Sequence, residues 1–225
     1  MIDWREAAAR AAAPGAGRCV WLVRHGERPP IAKDDPTYGE NLGLTPAGRE
    51  LALACGRDVA AAGRPADWVF HASRYRRTML TAATVAEGMG RAGAPVAACV
   101  EAGLPGLWIE DMPETFRSYR RHGTAAFTDM FMRGEATGGF RPIPESARLA
   151  MDWIRGADFG ARCAIVVSHD THIAALLRGL GVYPFDSEHW VGFLQGAALF
   201  EGPDGAWSAD YLVPDKARWQ NRFLQ

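Results

Sequence analysis

The sequence predicts an α/β protein, a three-layer α/β/α sandwich around a mainly parallel sheet. Three observations carry this. Residues 19–23 and 163–167 are short, unbroken apolar runs, the pattern of strands covered on both faces. Such strand-like runs alternate along the chain with helix-like stretches, which calls for crossover connections. Finally, 225 residues with 48% hydrophobic and 23% charged content suit one ordinary globular domain.

In order, residues 1–18 read as a short helix followed by a Pro14-Gly15 linker. Residues 19–23 form the first strand, and a polar loop with Pro29, Pro30, Pro36 and Gly39 follows. Thr45-Pro46 has the form of a helix cap with proline at the first helical position. That helix runs over 47–62 and stops at Gly63. Residues 67–71 predict a second strand, Ser73 the cap of a helix reaching Gly88, and 96–100 a third strand. Residues 101–143 are less regular and read as a cap-like insertion, with a helix over 114–133. Pro144-Glu145 opens a helix that places Ala147, Ala150, Met151 and Ile154 on one face. Residues 163–167 give the most apolar strand, Ser168-His169-Asp170 leads into a helix ending at Gly179, and 197–201 with 207–212 predict a closing hairpin. The whole chain, 1–225, reads as a single domain.

Bulk properties exclude several functions. A net charge of -1 argues against a general nucleic-acid binder. No apolar run is long enough to span a membrane, and the alanine-rich start, broken by Arg10, lacks the uninterrupted core of a signal peptide, so a cytoplasmic protein is expected. Cys19, Cys55, Cys99 and Cys163 form no CxxC pair and read as buried free thiols rather than zinc ligands. The sequence calls for no metal and no cofactor, and it leaves the oligomeric state open.

Ligands of such sheets bind beyond the C-terminal strand ends. There the first strand delivers Arg24-His25, the second leads to Ser73–Arg77, and the last parallel strand delivers His169-Asp170. Two histidines, several arginines and an acid suit phosphoryl transfer. A neutral imidazole is a nucleophile, arginine forks hold the equatorial oxygens, and an acid protonates the leaving group. Neighbouring arginines also keep the nucleophile unprotonated.

The run Leu22-Val23-Arg24-His25-Gly26-Glu27-Arg28 resembles the signature of the histidine phosphatase superfamily, the phosphoglycerate-mutase-like fold. Leu44-Thr45-Pro46-Ala47-Gly48, the stretch from Ser73 to Ala82, and Ser168-His169-Asp170-Thr171 are similar to its other landmarks. The chain departs from the pattern at Arg74, often proline, and at Tyr75, usually leucine. The resemblance implies that His25 is phosphorylated, that Arg24 and Arg77 hold phosphate, and that His169 is a further donor. Arg28 followed by Pro29, and Asp170 after His169, are features of the acid-phosphatase branch, where that aspartate donates the proton. Glu101 and Glu110 are the rival donors. His172, two residues past Asp170, is a further candidate, and Arg117, Arg120 and Arg121 read either as an exposed helix face or as a clamp for a second anion.

The activity so implied is a metal-independent phosphomonoesterase acting through a phosphohistidine on a small phosphorylated metabolite, by default a sugar phosphate. The alternatives are a phosphoglycerate-type mutase, a phosphoprotein phosphatase and a catalytically silent phospho-ligand binder.

Overall fold

A computed structural model describes residues 1–32, 35, 37, 39–135 and 138–215. Pro36, expected in the polar loop, lies outside the described residues, as do residues 136–137 of the insertion and 216–225. Seven strands form one sheet in the order β1-β7-β6-β2-β5-β3-β4, where β1 is Ile2–Asp3, β2 Cys19–Arg24, β3 Trp68–Ala72, β4 Val96–Ala98, β5 Cys163–Ser168, β6 Gly196–Glu201 and β7 Trp207–Val213. The central run β2-β5-β3-β4 is parallel, β6 joins β2 antiparallel and β7 joins β6 antiparallel, so the sheet is mainly parallel with the predicted hairpin at one side.

The helices are α1 Trp4–Ala12, α2 Pro46–Ala61, α3 Arg76–Gly88, α4 Met112–His122, α5 Thr124–Met132, α6 Ile143–Gly156 and α7 Asp170–Gly179. Side-chain alternation along β2 makes the three layers. Cys19, Trp21 and Val23 point into a core shared with α1, α2 and α3, whereas Val20 and Leu22 point into one shared with α5, α6 and α7. Both faces are covered, which is why this strand carries no polar alternation.

Local signals explain most boundaries. The Thr45 hydroxyl accepts from the Gly48 amide and caps α2, with Pro46 in the first turn. Asp3 and Glu6 form a reciprocal capping box at α1. In α6, Ala147, Ala150, Met151 and Ile154 are all buried, as their spacing predicts.

Four expectations need correction. Ile2–Asp3 pairs in parallel with Leu212–Val213, an edge contact too short to leave a sequence pattern. The strand expected over 96–100 ends at Ala98, because the chain turns there to carry residues 99–103 across the sheet edge. The single helix expected over 114–133 is two helices broken at Gly123, whose φ of 75° ends the first and opens the second. Ser73 does not cap α3; the Thr78 hydroxyl turns back to the Ser73 and Tyr75 carbonyls, 2.7 Å from each, and Ser73 is left free for the site.

From the segment between β4 and α6, Trp108, Phe127 and Phe131 join the core on the α5–α7 face. No helix of the described residues is long and apolar enough to cross a membrane.

Candidate active site

Strand register builds the site. Arg24 and Ser168 are paired partners at the ends of β2 and β5, so the next residues, His25 and His169, emerge side by side. Their ring centroids lie 5.7 Å apart and both are buried. Ala72, the last residue of β3, brings Ser73 to the same edge.

His25 is oriented by its neighbour. Its Nδ1 lies 2.8 Å from the Gly26 carbonyl, which can only accept, so Nδ1 carries the proton and the lone pair resides on Nε2. Burial, then the charges of Arg24 and Arg77, hold its pKa well below 6.5, which keeps the ring neutral. The Thr-Pro-Ala-Gly landmark locks the loop that follows. The Thr45 hydroxyl donates to the Glu27 carboxylate at 2.6 Å, the Thr45 amide donates to the Glu27 carbonyl, and Gly48 lies so close that a Cβ there would sit 2.3 Å from that carbonyl. The Gly26 amide in turn donates to Thr81 at 2.9 Å.

His169 is fixed by a hydroxyl chain. The Ser73 hydroxyl lies 2.9 Å from that of Thr78 and 3.1 Å from His169 Nε2; with Ser73 donating to Nε2, the neutral ring keeps its proton on Nδ1 as a donor. Burial, followed by its histidine neighbours, holds this ring below 6.5 as well.

Three arginines converge here. Arg24 donates to the Val191 carbonyl at 2.6 Å and pairs with Asp170 at 2.9 Å. Arg77 donates to the Gly39 carbonyl at 2.8 Å, and Arg28 to its neighbour Pro29 at 2.8 Å. The Nε atom of each of the three is buried and has no partner among the described residues. Their proximity is also electrical. Burial and then Arg28 lower Arg77 to about 10, while burial and then Arg24 lower Arg28. Asp170 is the carboxylate paired into this group, so three positive charges face one negative. Buried donors without acceptors beside an excess of about two positive charges make a site for a dianion.

Asp170 opens α7 directly after His169. Burial pushes its carboxyl up, but Arg24, then His25, the Thr171 amide and the Trp190 indole outweigh this and hold it at about 2. It is therefore ionised in the empty site and holds Arg24 in place. Glu101 lies in the loop after β4, where it accepts from the Cys99 thiol at 3.4 Å. The next residue, Ala102, accepts from the Ser168 hydroxyl at 2.7 Å, so this loop lies against the end of β5.

The structure does not bring every candidate together. Glu110 is bound by Arg141 at 2.6 Å with its side chain half exposed. His172 is fully buried behind His169, stacked on Trp108 with ring centroids 4.2 Å apart and bonded to Ser168. Burial lowers it to about 3. Arg117, Arg120 and Arg121 point outward from α4, Arg117 onto Glu114, so the basic cluster is an exposed helix face. On the inner side of α4, Tyr119 bonds Thr171 beside Asp170, which brings the insertion to the rim of the site.

Sequence reasoning missed the segment 190–195. Trp190 interacts with Asp170, the Val191 carbonyl binds Arg24, and Phe193 lies against Arg24 and His25. Leu194 holds a φ of 58°, uncommon for a side chain of its size. The signal lay in topology: β6 runs antiparallel to β2 with Gly196 opposite Val23, so the residues before it must lie beside Arg24-His25.

Known proteins share this fold. Residues 20–198 match the model of the histidine phosphatase superfamily (branch 1). Among solved structures, a phosphoglycerate mutase from Bacillus anthracis str. Sterne superposes with a TM-score of 0.55 at 15% identity, over 90% of this chain and 95% of that one. The protein histidine phosphatase SixA, complexed with tungstate, gives 0.53 at 14% identity over 87% and 97%. A mycobacterial glucosyl-3-phosphoglycerate phosphatase gives 0.52 at 19% identity over 87% and 98%. No curated protein sequence matches the chain. The matched span holds every landmark from β2 to β6, and the chain belongs to the histidine phosphatase superfamily and is a phosphatase of that family.

Proposed function

We propose that the protein is a metal-independent phosphomonoesterase that works through a phosphohistidine on His25. The observation that carries this is the set of three buried, unpartnered arginine Nε groups around a neutral histidine whose Nε2 bears the lone pair. A phosphate monoester dianion balances the two excess charges. Nε2 of His25 attacks phosphorus while Arg24, Arg28 and Arg77, with His169, hold the equatorial oxygens. The bond from phosphorus to the ester oxygen breaks, and that oxygen takes a proton from Asp170. Water then attacks the phosphohistidine, giving its proton to the same carboxylate, and phosphate leaves. Glu101 is the second reading for the donor, favoured by the strong ion pair that keeps Asp170 ionised in the empty site.

The substrate is a small phosphorylated metabolite, by default a sugar phosphate, a reading supported by Tyr119 of α4 reaching Thr171 beside Asp170. His169 followed by Asp170 sets the site apart from a mutase pattern, and water is the acceptor. Four free, buried cysteines suit a reducing, cytoplasmic setting. Turnover of a panel of metabolite phosphates, with and without chelator, tests the reading. Activity that survives chelator and vanishes in His25→Ala is expected; a metal requirement, or full activity in His25→Ala, refutes it.

A further inference from the structure

Arg24 and Arg77 are held in the same unusual way by unrelated parts of the chain. One Nη of each donates to a backbone carbonyl, Val191 for Arg24 and Gly39 for Arg77. The central carbon of each guanidinium then lies over an aromatic ring. Phe193 sits 4.3 Å from the Arg24 carbon and Tyr75 sits 4.4 Å from the Arg77 carbon. In both cases the ring belongs to the segment that shapes the neighbouring wall: Phe193 follows Val191 by two residues, and Tyr75 precedes Arg77 by two. The rings also reach the two histidines, Phe193 at 5.8 Å from His25 and Tyr75 at 5.1 Å from His169.

We propose that Tyr75 and Phe193 are positioning residues that clamp the two phosphate-binding guanidinium planes, so that their free Nε edges face the incoming phosphate. The carbonyl fixes one N–H direction and the ring fixes the plane, and together they leave a planar fork little freedom. A ring is suited to this for an electrostatic reason. A carboxylate on each arginine would cancel the charge the dianion needs, whereas an aromatic face attracts the cation and leaves its charge in place. Arg24 keeps its contact with the Phe193 ring although it also pairs with Asp170, so the two holds are separate.

The inference rests on the phosphatase reading, and its test separates the two. Inorganic phosphate and tungstate are titrated calorimetrically into wild type, Tyr75→Leu, Phe193→Leu, and the ring-retaining variants Tyr75→Phe and Phe193→Tyr. Turnover is measured in parallel on p-nitrophenyl phosphate. Losing a desolvated cation–π contact of about 1–2 kcal/mol predicts anion binding weakened roughly five- to thirtyfold in each leucine variant. The same variants should lose more in kcat than in KM, because the arginine planes matter most where equatorial charge is spread. The ring-retaining variants should bind within about twofold of wild type. Leucine variants that bind phosphate and turn over like wild type overturn the clamp. So do ring-retaining variants as impaired as the leucine ones, since shape rather than the aromatic face would then be at work. If wild type binds phosphate but hydrolyses nothing, the functional reading fails while the binding series still decides the clamp.

Discussion

Replacing Asp170 by asparagine separates its two possible duties, ion-pair partner and proton donor. In the empty site its carboxyl is held at about 2, and a group that acidic is protonated in only about one molecule in 100,000 at pH 7. Substrate changes this. A dianion lodged roughly 5 Å away, on the far side of Arg24, acts on the carboxylate with about 3 kcal/mol per unit charge at an effective dielectric of 20. Two charges give about 6–7 kcal/mol, which raises the Asp170 carboxyl strongly and makes it a usable acid only once the ester is bound. Asp170→Asn should therefore slow alkyl phosphates on the order of 10²–10⁴-fold, the usual worth of a general acid. p-Nitrophenyl phosphate should lose far less, because its phenolate leaves unaided. The same substitution deletes the negative charge paired with Arg24, so competitive inhibition by phosphate should tighten. Steady-state kinetics on both substrates, with Glu101→Gln as the companion variant, read the result. Equal losses on both substrates, with the leaving-group dependence appearing in Glu101→Gln instead, would refute the assignment and make Glu101 the donor.

Other consequences are as direct. Acid-quenched wild type given a labelled phosphate ester should carry acid-labile label that His25→Ala lacks, and label on another residue would dismiss the nucleophile. Because the neutral form of His25 reacts and its pKa is pushed below 6.5, the acid limb of kcat/KM should follow only the ester's own second ionisation, at about 6; a further limb centred at 6.5 or above would contradict this. Folding should be acid-sensitive over a related range. His25, His169 and His172 resist protonation in the folded state, so below pH 6.5 the unfolded chain binds more protons and stability falls, by up to about 1.4 kcal/mol per pH unit for each; denaturant titrations from pH 7 to 5 check it. The Asp170–Arg24 pair acts at lower pH, its contribution being complete above 3.8 and lost as pH falls toward about 2. Arg28→Ala should weaken phosphate binding on the order of tenfold, since its half-buried guanidinium, with a buried and unpartnered Nε, lies beside the other two arginines, and unchanged affinity would return it to the role of a surface loop residue.

The parts of the fold that were legible in the sequence were those where local chemistry and tertiary packing agree. The apolar run of β2 signals burial on both faces because α-helices do cover both faces, and Thr45-Pro46 signals a helix start because that threonine does bond the Gly48 amide. What escaped had no local cause. The pairing of Ile2–Asp3 with β7 depends on where β7 lies, and Gly123 breaks a helical stretch that is otherwise continuous in composition. Ser73 shows a signal with two readings. A serine after a strand and before a helix looks like a cap, but Thr78 closes that turn and the serine bonds His169 instead.

The site follows the same division. Arg24, His25, Arg77 and His169 could be read because strand ends of a parallel sheet converge, and convergence needs only topology. Their ionisation could not be read, because it depends on burial and on distances among groups far apart in the chain. Asp170 is the instructive case. Its position after His169 suggested an acid, and its pairing with Arg24 shows a carboxylate that stays ionised until something displaces or outweighs that pairing. A site built this way links binding to acid strength, since the dianion that fills the arginines is also what raises Asp170. A phosphate monoester then prepares its own proton donor, whereas a singly charged ester would raise it only about half as far and should be a poorer substrate of the wild-type protein, a preference that Asp170→Asn should narrow.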